Sequence, residues 1–135
     1  MRRLLVIAVV AAGAWPVFAW TAPPAAVPIE AGAPGVRQVA GVWLARGQPI
    51  DGLLVQHDES GALRLQVPLS HGRPDGVEHR WYGDGARESL RRYRDGRKVG
   101  RHTGWWPSGA PRFDAQYIDD AFEGMNSTDR EVLDL

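Results

Sequence analysis

The chain has no cysteine. That absence excludes disulfides, cysteine-ligated metal centres and a lipidated cysteine. It has no excess of charge either, because 16 basic and 16 acidic side chains leave a formal net charge of zero. A balanced total argues against nucleic acid as the partner, which would require a basic footprint. Histidine is scarce, and His57, His71, His79 and His102 lack the spacing that gathers metal ligands. No Gly-rich phosphate loop runs into a Lys-Ser or Lys-Thr pair, and no nucleophile elbow surrounds Ser60, Ser89 or Ser108. Asp119 and Asp120 are adjacent, which suits a turn better than a paired-carboxylate site. These absences predict a non-enzyme without cofactor or metal. A chain of 135 residues has room for one modest domain.

What is present begins with "MRRLLVIAVVAAGAWPVFA", residues 1–19. Arg2 and Arg3, an apolar run, and small residues at Val17 and Ala19 form the layout of a secretory signal peptide. Cleavage after Ala19 would export the chain to the periplasm or the extracellular space. Residues 20–35, "WTAPPAAVPIEAGAPG", read as a Pro/Ala-rich linker. The folded domain is expected over 36–124.

Inside that domain the sequence repeats. "RWYGDGARESLRRYRDGRKVG" (80–100) overlies "GWWPSGAPRFDAQYIDDAFEG" (104–124) at an offset of 24 residues. Gly85 falls on Gly109, Gly100 on Gly124, Trp81 on Trp105 and Tyr93 on Tyr117. One step back, Gly52 falls under Gly76 and Gly61 under Gly85. A period of this size marks a repeat architecture, here with units near 52–75, 76–99 and 100–123. "DESG", "YGDG" and "WPSG" end at Gly61, Gly85 and Gly109, where a left-handed glycine closes a three-residue hairpin. A second set of turn signals surrounds Gly76, Gly100 and Gly124.

Strands are expected near 39–46, 52–58, 62–70, 76–82, 86–94, 100–106 and 110–118. Odd positions carry Val39, Trp43, Leu53, Val55, Leu65, Val67, Leu69, Val77, Trp81, Tyr93, Trp105, Phe113, Ala115 and Tyr117. Even positions carry Gln56, Arg64, Gln66, Glu78, Arg80, Arg92, Arg112 and Asp114. That alternation has the period of a strand, and an even repeat length keeps it in phase from unit to unit. The expectation is an all-β, antiparallel meander of hairpins forming a single elongated sheet with one apolar face.

The quoted residues resemble the MORN-variant repeats of bacterial YwqK antitoxin-like proteins. Gly76, Trp81, Tyr82, Gly85, Tyr93, Gly96 and Gly100 occupy the motif places, followed by Trp105, Trp106, Gly109, Tyr117 and Gly124. The likeness covers about residues 45–124. Asp120 stands where the pattern has Gly, and the first unit has His57 and Asp58 where aromatics belong. Residues 125–135 depart from the pattern and read as an irregular tail, either a cap or a truncated repeat. The resemblance implies a non-enzymatic, antitoxin-like interaction platform, and export points to a protein partner in the cell envelope.

Charge is unevenly spread, net +4 over residues 76–101 and net −5 over 102–135. The expected recognition face carries Trp81, Trp105, Tyr93, Tyr117 and Phe113, with Arg87 stacked between the two indoles in a cation–π arrangement. Two other classes of partner remain open. "TGWWPSGAP" also resembles the GW-containing repeats of choline-binding proteins, which implies a cell-wall glycan. The basic middle unit suits an anionic membrane surface.

Overall fold

A computed structural model describes residues 27–125. The signal-like segment and all but the first residue of the 125–135 tail lie outside them. The described residues are all-β, without a helix.

Strands β1 (Ile29–Glu30), β5 (Gly52–His57), β6 (Leu63–Ser70), β8 (Gly76–Trp81), β9 (Arg87–Arg94), β11 (Gly100–Trp105), β12 (Pro111–Ile118) and β13 (Ala121–Met125) lie side by side in that order. Two-residue strands β7 (Arg73–Pro74) and β10 (Arg97–Lys98) pair with β6 and β9. Pairing is antiparallel throughout, except that β1 runs parallel to β5. A second sheet of β2 (Val36–Val39), β3 (Val42–Ala45) and β4 (Gln48–Pro49) corrects the expectation of a single sheet. The physical reason lies in Ala40–Gly41 and Arg46–Gly47, whose positive φ values make a tight turn on each side of β3, so that the expected 39–46 strand shortens to Val42–Ala45 and pairs with β2 and β4.

The 24-residue offset recurs in the strand register. Gly52 faces Leu69, Gly76 faces Tyr93 and Gly100 faces Tyr117. The three glycine-closed hairpins are alike. Gly61, Gly85 and Gly109 have φ of 85–87°, and each N–H donates to the carbonyl three residues back, on Asp58, Tyr82 and Trp106. Each loop then places one extra residue in the returning strand, a bulge. The other turns stack in a ladder. The N–H groups of Gly72, Gly96 and Asp120 donate to the carbonyls of Ile50, Pro74 and Lys98, each pair 24 residues after the last. Gly76 and Gly100 also have positive φ, as turn positions require. Gly124 instead lies within β13 opposite Gln116, because after the equivalent turn at Asp119–Asp120 the returning strand runs unbroken, where β7 and β8, and β10 and β11, are separate.

The core sits at the amino-terminal end. Ile50, Leu54, Leu65, Val67 and Leu69 are buried together, with Trp43, Val36 and Ala45 of the small sheet packed over them. Each such aliphatic side chain contributes about 1.5–3 kcal/mol on burial. Ile29 and Ala31 pack on the same cluster. The stretch read as linker therefore joins the fold from Ile29 onward, since β1 finds backbone partners along the free edge of β5.

Candidate functional site

The register splits the expected recognition face in two. In each of the three bulged hairpins, up to the bulge, an odd residue opposes an even one, as in Leu53 with Pro68, Val77 with Arg92 and Arg101 with Gln116. Units stay in phase with each other, but the two strands of each hairpin do not. Trp81 therefore shares a face with His79, on which its ring stacks at 5.6 Å and 11°. Trp105, opposite Pro111, shares that face with Arg101 and with Thr103, which lies opposite Asp114. Tyr93, Phe113 and Tyr117 lie on the opposite face, which continues the one carrying Leu54, Val67 and Leu69.

Arg87 does sit across from Trp81, as expected, but it is exposed and the cation–π contacts form elsewhere. The Arg91 guanidinium lies 5.7 Å from the Phe113 ring centre, the Lys98 ammonium 5.1 Å from that of Tyr117, and Arg112 4.7 Å from Trp106. The two tryptophans take backbone roles. Arg64 Nε donates to the Trp81 carbonyl at 2.9 Å, and the Tyr82 hydroxyl donates to that of Trp105 at 2.8 Å. Both bonds tie one hairpin to the next.

The core face changes character along the repeats. Leu54, Glu78 and His102 occupy one position in successive units and are 0%, 6% and 2% exposed. Leu65, Ser89 and Phe113 occupy another, and Leu69, Tyr93 and Tyr117 a third. The aliphatic core of the first unit thus becomes polar in the second and aromatic in the third. Glu78 accepts from Arg80 Nε at 2.7 Å. The Ser89 hydroxyl is buried without a hydrogen-bond partner among the described residues.

His102 is the centre of the third unit. Its ring lies 5.7 Å from Tyr93 and 4.7 Å from Tyr117, and Phe122 continues the row 5.9 Å beyond Tyr117. Nε2 is 3.1 Å from the Arg92 backbone nitrogen and 2.8 Å from the Arg92 carbonyl oxygen. Burial, then the nearby charges of Arg91 and Lys98, hold the imidazole below its usual pKa. Burial, then the charge of Glu78, pushes the Tyr93 phenol up. Arg91, Lys98, His102, Phe113 and Tyr117 together line a cleft of about 170 Å³.

Sequence reasoning named Tyr93, Phe113 and Tyr117 but passed over Arg91, Lys98 and His102. The 24-residue equivalence with Leu54 was the available signal that His102 points inward. Among the described residues no group of His, Asp and Glu side chains is gathered to hold a metal ion. No model of a protein family matches the chain, and neither the curated proteins nor the solved structures yield a match.

Proposed function

We propose that the chain is an exported, non-enzymatic repeat protein of the MORN-variant, YwqK-like kind, and that its core face is a protein-interaction platform over the second and third units. One observation carries this reading. The small sheet covers the core face of the first unit, whereas the described residues build no second layer over the next two. That stretch bears Arg91, Tyr93, Phe113, Tyr117 and Phe122, residue types that supply binding hot spots when a partner desolvates them. The repeating register and turn ladder support a repeat protein, and the signal-like amino terminus supports an envelope address.

The test uses the exported chain as bait in envelope extract, alongside sedimentation with peptidoglycan and with anionic vesicles. The platform reading expects a protein that the native chain retains and that a Phe113→Ala, Tyr117→Ala double variant of intact β spectrum loses. Sedimentation with peptidoglycan and no protein partner would favour the glycan alternative instead. Trp106, 46% exposed at a hairpin tip with Arg112 against its ring, is the feature that alternative would use. Sedimentation with anionic vesicles alone would move the function to a membrane surface.

A further inference from the structure

The cleft between β9, β11 and β12 has a composition that selects its occupant. Two cations stand at it, Arg91 against Phe113 and Lys98 against Tyr117, and neither has a carboxylate within salt-bridge distance among the described residues. The acid directly across from Arg91 is Glu78, and its carboxylate is taken by Arg80. The floor is the His102 ring, 2% exposed, and the walls are aromatic.

Size narrows the choice further. About 170 Å³ is well short of the roughly 300–1,000 Å³ of a small-molecule site. It is several times the roughly 30 Å³ share of one water, which is the scale of a side-chain end. Backbone donors narrow it again. Phosphate sites characteristically offer clustered backbone N–H groups, whereas the N–H of Arg92, beside the cleft, is engaged by His102 Nε2. Two side-chain cations between flat aromatic walls suit a planar carboxylate.

We infer that the Arg91–Lys98–His102 cleft is a seat for one carboxylate of an acidic side chain on a polypeptide partner. The inference deepens the platform reading and rests on it for the partner being a protein. One carboxylate oxygen meets the Arg91 guanidinium and the other the Lys98 ammonium. The partner's neighbouring residues lie along Tyr93 and Phe122. An anion in this place also offsets the two charges that disfavour the imidazolium, so occupancy and His102 protonation favour each other.

The test follows the His102 ring signals by NMR in the full exported chain. The probes are a capped pentapeptide with a single Glu, its Gln counterpart, inorganic phosphate, and vesicles containing anionic lipid. The Glu peptide should move the signals and raise the His102 pKa, with an affinity that falls as salt rises. The Gln peptide should leave them in place. Arg91→Gln and Lys98→Gln should each weaken the response on the order of tenfold, the loss expected for one charge-assisted hydrogen bond, without altering the β spectrum. Equal response to the Gln peptide, tighter response to phosphate or vesicles, or full binding by both variants would overturn the seat. If the Glu peptide has no effect while envelope capture still depends on Phe113 and Tyr117, the seat is wrong and the platform stands. Loss of that dependence removes the platform itself.

Discussion

The His102 imidazole stands where a sheet would ordinarily supply a backbone partner, with Nε2 3.1 Å from the Arg92 nitrogen. The backbone pairing of β9 with β11 is confined to Leu90 with Thr103 and Ser89 with Gly104. The Arg92 carbonyl already receives the Val99 N–H at 3.0 Å. Nε2 can accept from the Arg92 N–H only while the ring is neutral.

Stability should accordingly depend on His102 protonation. The folded chain holds the imidazole below its ordinary value of 6.5, so the unfolded chain binds the extra proton first. The contribution is fully present above pH 6.5 and is lost as pH falls from there toward the lowered folded value. Urea titrations between pH 8 and pH 5 should show the decline. His102→Gln keeps an acceptor but cannot titrate, and should flatten that part of the profile. An unchanged slope in the variant would assign the pH dependence to other groups.

Gly104 and Phe113 form a second dependent pair. A Cβ on Gly104 would collide with the Phe113 ring, although Gly104 itself has no positive φ. The penalty in Gly104→Ala is therefore one of packing, about 1–3 kcal/mol as for other overpacked sites. It should shrink sharply in a Phe113→Ala background, where the ring is gone. A double-mutant cycle by chemical denaturation reads this coupling directly, and additive effects would contradict the geometry.

The hairpin glycines respond differently. A Cβ at Gly85 or Gly109 meets nothing within 4 Å, so only the left-handed backbone at φ 87° opposes substitution. Gly85→Val and Gly109→Val should each cost about 1–2 kcal/mol, lowering the melting temperature. Gly83 has no positive φ and only polar side-chain ends near it, so Gly83→Ser should cost much less. Three equal shifts would deny the glycines their role in the loop.

These cases show what the sequence made legible. Gly61, Gly85 and Gly109 announce their turns because few residues but glycine tolerate that backbone, and strand limits follow from them. The face of each side chain was not legible in the same way. An even repeat fixes the phase between units, but the bulged three-residue loops set the phase between hairpin strands, and a slip of one residue exchanges the faces. Trp81 and Trp105 were thereby grouped with Tyr93 and Tyr117. Glu78 and His102 were missed because polar side chains in a strand ordinarily face water. Here Glu78 turns inward with Arg80, and His102 with the Arg92 backbone.

The split between faces sets the final prediction. If the platform is the core face, its binding should depend on Arg91 and Tyr117 and not on the indoles behind the sheet. Hot-spot truncations typically remove at least about 2 kcal/mol, so Arg91→Ala and Tyr117→Ala should each weaken partner binding on the order of thirtyfold. Trp81→Ala and Trp105→Ala should leave affinity within about threefold once folding is verified, because the bonds these residues accept run through their carbonyls. Surface plasmon resonance with the captured envelope protein, at fixed salt, measures all four. Loss of binding in the tryptophan variants with Arg91→Ala and Tyr117→Ala unaffected would place recognition on the opposite face, with His79 and Trp81 at its centre.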